Sequence, residues 1–166
     1  MKTIFFLYFG FICFKLDAQS KFVGHYHDYF GSAIDIYSDS TFKYSWRFDM
    51  QGSWTTGSWR TNNDTIYFSM IPIYDTLAYV TMNTQNSDSL ILSVDETPRR
   101  ITMQEANILY SGGQNKVPYP PILFYQKSRM YRIDNQKRLD KKWEKGFWTG
   151  KRGKKLPPWF IKDSLP

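Results

Sequence analysis

His25 and His27 are the only histidines of this 166-residue chain. On a β-strand an i, i+2 spacing turns both rings to one face, where they could share a Zn or Cu ion. Two ligands do not make a site. A third would have to come from Asp28, Asp35 or Glu96, and no spacing fixes which; the competing reading is a pair of rim histidines near the mouth of a barrel. For acid/base work, Asp28 with Asp35 or Asp95 with Glu96 are the available carboxylate pairs, but they fall at strand ends and turns, where such groups are solvated. There is no Gly-x-Ser-x-Gly, no phosphate-binding Gly-Lys-Ser/Thr loop and no His-Glu-x-x-His. The expectation is a protein that is not an enzyme and carries no cofactor.

The second constellation is aromatic. Phe42, Tyr44, Trp46 and Phe48 alternate with Lys43, Ser45 and Arg47, as a strand with one buried face requires. Together with Trp54, Trp59, Tyr67 and Phe68 these rings either fill a barrel or line a cavity in it, since an eight-stranded barrel is about wide enough for side chains or one small ligand. The candidate ligand residues are Tyr44, Trp46, Trp54, Trp59 and Tyr67, facing a small hydrophobic or glycan-like molecule.

Positioning these residues takes a run of antiparallel strands. Alternation from Phe22 to Leu77, broken by Asp/Ser/Asn/Gly turns, predicts strands over 22–30, 33–38, 41–48, 53–60 and 65–71, then 77–82, 90–94, 122–127 and 130–133. Gly57-Ser58-Trp59 signals close backbone approach beside a large ring. Asp39, Asp64, Asp75 and Asp88 each precede Ser or Thr, read as turn chemistry in which the carboxylate bonds backbone N–H groups. Residues 95–121 break the cadence with a short helix over 102–111 and a Gly/Pro loop, a connection suited to a plug, lid or binding loop, or to a helix capping a barrel end. The expected fold is all-β: an antiparallel up-and-down meander of 8–10 strands closing into a barrel, with a basic C-terminal tail.

Residues 1–20 have the layout of a secretory signal peptide: Lys2, an apolar run from Ile4 to Phe14, then Ala18 and Ser20. The run is too short for a membrane span, which needs about 20 residues. Cys13, the only cysteine, follows Ile12, which does not suit lipidation, and cleavage would leave no thiol or disulfide in the mature chain. Residues 21–136 are then the barrel and 137–166 the tail. Charge divides the same way: residues 127–166 hold thirteen Lys/Arg and four Asp/Glu, residues 19–126 seven and ten. The tail residues Lys141, Lys142, Trp143, Trp148, Lys151, Arg152, Lys154 and Lys155 would suit anionic lipid or lipopolysaccharide, or their rings dock on the barrel and leave the lysines in water. Secretion argues against nucleic acid as a partner.

Gly24-x-Tyr26, Asp39-Ser-Thr41-Phe42, Gly57-x-Trp59 and Asp64-Thr-Ile66 together resemble the opening of small lipocalin-like envelope proteins, over roughly residues 22–94. The layout is similar to the N-terminal barrel of copper-homeostasis lipoproteins, and the style of the sequence to secreted Bacteroidetes proteins of unknown function. The chain departs from the copper lipoproteins in lacking Cys-x-x-Cys and an acylated Cys, so metal sensing does not carry over. The resemblance implies an up-and-down barrel with a filled or partly open interior. The chain as a whole reads as a secreted or periplasmic binding module of the bacterial envelope; the alternative is a structural or interaction protein whose tail contacts anionic lipid, lipopolysaccharide or a protein partner.

Overall fold

A computed structural model describes residues 20–80, 86–108, 112–146 and 153–163. The leader expected over 1–20 thus lies almost wholly outside the described residues, as do Trp148, Lys151 and Arg152. Among the described residues no helix is long and apolar enough to cross a membrane.

The fold is a closed, eight-stranded antiparallel barrel. In chain order its strands are β1 (Gly24–His27), β2 (Ser32–Ile36), β3 (Thr41–Phe48), β4 (Gln51–Asn62) and β5 (Thr65–Met70), followed after an excursion by β9 (Ile122–Gln126) and β10 (Arg129–Arg132), and after a second by β13 (Phe160–Lys162). Each strand pairs with the next, and β13 returns to β1 through Tyr26↔Lys162 and His27↔Ile161. Closure removes the open edges that a sheet of this size would otherwise present.

The first excursion holds a separate three-stranded sheet, β6 (Tyr74–Val80), β7 (Asn86–Leu92) and β8 (Arg100–Thr102), with β6 central and β8 parallel to it. The strands expected over 77–82 and 90–94 are therefore real but outside the barrel. Helix α1 (Met103–Ile108) starts with a capping box. The Glu105 carboxylate accepts from the Thr102 N–H at 2.7 Å, while Thr102 Oγ1 accepts from the Glu105 N–H at 3.2 Å. Its described residues pack on β6 and β8. The second excursion carries the short hairpin β11 (Glu144–Lys145) and β12 (Lys155–Leu156). The segment 137–166 thus supplies the strand that closes the barrel as well as the basic hairpin before it.

Local chemistry explains the turns. Asp39 accepts from the Thr41 N–H at 2.9 Å and from its hydroxyl at 2.6 Å, holding Ser40 at φ 67 between β2 and β3. Lys127 and Ser128 both take positive φ in the two-residue β9–β10 turn, a conformation usually given to Asn-Gly. Asp75 is not a turn residue: wholly buried, it accepts from the Ser93 hydroxyl and from the Val94 and Arg99 N–H groups, tying residues 93–99 to β6.

Alternate residues of each strand meet inside. Tyr26, Ile34, Ile36, Phe42, Tyr44, Trp59, Ile66, Phe68, Leu123, Met130 and Phe160 form one buried cluster with Phe22. Phe22 shuts the lower end, its ring edge-on to Trp59 and Tyr125 at 6.3 and 5.1 Å, and its carbonyl accepts from the Tyr26 hydroxyl at 2.8 Å. At Gly57 a Cβ would sit 2.0 Å from the Ser69 carbonyl oxygen and 2.9 Å from the Phe42 ring. The close approach expected there is present. These side chains form the core of the barrel.

Candidate functional site at the open end of the barrel

The upper end is where β1 turns into β2 and where β3 and β10 finish. Phe42 and Tyr44 point inward from β3 and are buried, while Trp46, further up the same face, is only partly covered. A cavity of about 470 Å³ begins there, within the range of small-molecule sites. Tyr44, Trp46 and Phe30 wall it on one side, Val117–Pro120 on the other, with Ser32, Arg132 and Glu144 as its polar lining.

The Pro-rich loop is held in place by defined bonds. Ser53 Oγ accepts from the Val117 N–H at 2.9 Å, and the Tyr119 hydroxyl accepts from the Met70 N–H at 3.0 Å. The Tyr119 ring then packs on Phe42 at 5.7 Å. Val117–Pro120, near the end of the 95–121 connection, thus border the mouth. The other rim residue, Glu144, comes from β11 in the second excursion.

Arg132 is the cation of the site. Its Nη2 lies 3.2 Å from Asp28 Oδ2, and its guanidinium sits over the Phe160 ring at 5.6 Å. The Asp28 carboxylate is fully covered and also accepts from the Phe30 and Ser32 N–H groups at 2.8 and 2.9 Å. That turn would otherwise leave buried donors unpaired. A guanidinium has five N–H donors, so the bond to Asp28 orients Arg132 and leaves others for a ligand. Tyr44 donates to Ser32 Oγ at 3.3 Å; burial raises its pKa, with the Ser32 bond and the Arg132 charge pulling the other way.

The five aromatic candidates do not share one site. Tyr44 and Trp46 line the mouth. Trp59 is core, its indole N–H donating to the Tyr37 carbonyl at 3.0 Å. Trp54 faces outward and donates to the Val94 carbonyl at 2.9 Å, fastening the first excursion to β4. Tyr67 also faces outward, under the Arg60 guanidinium at 4.7 Å. Period-two alternation carries the signal that separates them: Trp54 and Trp59 are five residues apart in one strand, and an odd spacing puts them on opposite faces.

His25 and His27 do share a face, outside the barrel. His25 Nδ1 lies 2.6 Å from Asp35 Oδ1 and His27 Nδ1 lies 2.6 Å from Asp163 Oδ1. A third metal ligand is not delivered: Asp28 is committed to Arg132 and its own turn, Glu96 pairs with Lys43, and Asp35 is spent on His25. Among the described residues no group of three or more His, Cys, Asp or Glu is placed to hold a metal ion.

In the basic segment, Trp143 is half exposed and meets Trp159 edge-on at 5.7 Å, Trp159 packs on Tyr131 at 5.4 Å, and Lys141 lies over the Tyr131 ring at 5.2 Å. Lys142, Lys154 and Lys155 remain exposed. Phe30, Ser32, Tyr119, Arg132 and Glu144 were not singled out by spacing, because they converge from four separate parts of the chain.

Comparison with protein-family models, curated proteins and solved structures found no match for this chain.

Proposed function

We propose that this is a secreted, lipocalin-like binding module without catalytic activity, acting at the cell envelope and taking a small ring-bearing ligand at the barrel mouth. The observation that carries this reading is the 470 Å³ cavity, lined by the rings of Tyr44, Trp46 and Tyr119 together with Arg132, Ser32 and Glu144. Aromatic walls favour the apolar face of a ring, and the polar groups among them would bond its substituents. Buried side chains below Trp46 favour a glycan-like ligand at the mouth over a long acyl chain reaching into the barrel. The test is a calorimetric titration with monosaccharides and disaccharides beside an apolar dye. Trp46→Ala should weaken saccharide binding at least about tenfold, as loss of an aromatic anchor does. Equal binding by the wild type and Trp46→Ala would remove the mouth as the site.

One observation favours a second reading, an interaction protein whose basic hairpin contacts an anionic surface: Trp143 is half exposed beside the exposed Lys142. Co-sedimentation with anionic vesicles should fall when Lys142, Lys154 and Lys155 are replaced by Glu, more at low salt. Unchanged partitioning would end this reading.

A further inference from the structure

A second cavity, of about 850 Å³, lies on the outer face of the barrel, between β5 and β9 on one side and the 133–139 turn on the other. Tyr67, Ile122 and Phe124 form its floor, and Ile133 and Leu139 its far wall. Pro120 and Arg132 line both this groove and the mouth cavity. We infer that mouth and groove are one continuous binding cleft, bent over the rim at Pro120 and Arg132, and that it takes an extended oligosaccharide. This rests on the reading of the mouth as a saccharide site and extends it to a second set of residues.

The chemistry of the groove selects the ligand. β5 is paired on both sides by β4 and β9, and β9 by β5 and β10, so an extended peptide finds no free strand edge to join and would have to bind by side chains alone. An acyl chain would have no use for the polar margin of Thr65, Asp134, Asn135 and Lys137. Rings with an apolar face and a polar circumference use both parts: they stack on Tyr67 and Phe124 as on Tyr44 and Trp46, and their hydroxyls meet the margin. Tyr67 is stiffened for this role by the Arg60 guanidinium 4.7 Å over its ring. Asp134 is held by Arg138, whose Nε donates to Oδ2 at 2.8 Å and whose backbone N–H donates to Oδ1 at 2.8 Å. The groove wall is therefore a bonded turn. Arg132, anchored by Asp28, stands where the chain of sugars would cross from one cavity to the other.

The experiment is calorimetry on the full mature chain with cello- and chito-oligosaccharide ladders, from monosaccharide to hexasaccharide. Affinity should keep rising past the length that fills the mouth, by about tenfold from disaccharide to tetrasaccharide. Tyr67→Ala, outward-facing and remote from the core, should collapse that ratio towards one, and Tyr67→Phe should restore it. Mono- or disaccharide binding that does not strengthen with length overturns the extended cleft and spares the mouth. Length-dependent binding untouched by Tyr67→Ala also overturns it. Absence of binding to every member of both ladders overturns both readings, as would preferential binding of an extended peptide set.

Discussion

His27 Nδ1 and Asp163 Oδ1 stand 2.6 Å apart across the seam where the barrel closes. Asp163 is the first residue beyond β13, its backbone N–H donates to the His25 carbonyl at 2.9 Å, and its other carboxylate oxygen lies 3.9 Å from His25 Nε2. The seam is short, so this clasp reinforces it. Both side chains are close to half exposed, which limits the pair to about 0.2–1 kcal/mol. Asp163→Ala should lower the melting temperature by a few degrees at most, and His27→Ala by a similar amount, with the double variant less than additive. Added Zn or Cu should leave the wild-type melting curve where it is; a metal-dependent rise lost in His27→Ala would restore the metal reading.

Phe160 predicts how strongly the fold depends on a segment whose composition is that of a tail. Its side chain is wholly buried in the barrel core, and Phe160→Ala should cost about 3–5 kcal/mol, the range for aromatic truncation in a packed interior. Trp143→Ala, on a half-exposed ring of the same segment, should cost under about 1 kcal/mol. Denaturant unfolding of the two variants separates them. A chain ending at residue 136 should lose cooperative unfolding altogether, and a cooperative transition in that truncation would show that β13 is dispensable.

Alternation made β3 legible: Phe42, Tyr44 and Trp46 share a face because a strand repeats every two residues. Gly57 was legible for a related reason, since glycine between Thr56 and Ser58 in a strand has no role except close approach. The closing strand was not, because Phe160-Ile161-Lys162 is three residues long and sits behind Pro157-Pro158 in a lysine-rich context. Asp75 resembles Asp39 locally, yet one is a buried anchor and the other an exposed turn; the difference lies in residues 93–99, far along the chain. The Asp28–Arg132 pair spans 104 positions, and no local pattern joins them. Scaffold residues obey short-range periodicity, whereas the mouth is assembled by topology.

Gly57→Ala tests the close approach. The added methyl would lie 2.0 Å from the Ser69 carbonyl oxygen, part of the paired strand, which cannot swing away as a flexible side chain would. Separation of β4 from β5 or displacement of the Phe42 ring must follow. The expected loss is about 1–3 kcal/mol, as for overpacking in a core, read by urea midpoint at unchanged m-value. A neutral effect would mean that the two strands part without strain.

Tyr26 and Tyr44 set the alkaline limit. Burial raises both phenols above the ordinary tyrosine value, and for Tyr26 nearby Tyr125 adds to the rise. A raised native pKa means that the folded state holds the proton after the unfolded chain has lost it, so stability is full below about pH 10 and falls as pH climbs through the native values. Spectrophotometric titration should show Tyr26 and Tyr44 ionising together with unfolding. Tyr26→Phe should blunt the alkaline loss while costing about 0.5–1.5 kcal/mol at neutral pH, since the Phe22 carbonyl loses its donor. Simultaneous, reversible ionisation of all tyrosines in the folded protein would contradict this.

Arg132 joins stability to the site, and the two contributions can be separated. Arg132→Met keeps the aliphatic stem and removes the charge, leaving the covered Asp28 carboxylate with only the Phe30 and Ser32 N–H groups. Fully buried pairs lose about 3–5 kcal/mol when one partner goes, but the guanidinium is 38% exposed, so about 1–2 kcal/mol is expected here. Asp28→Asn should restore part of that loss in the Met background, because the buried charge is then gone. Saccharide binding at the mouth should not return with it, since the ligand would still lack the guanidinium donors. Denaturation and calorimetry on the single and double variants read the two effects independently. Recovery of binding along with stability would show that Arg132 only orders the turn and does not touch the ligand.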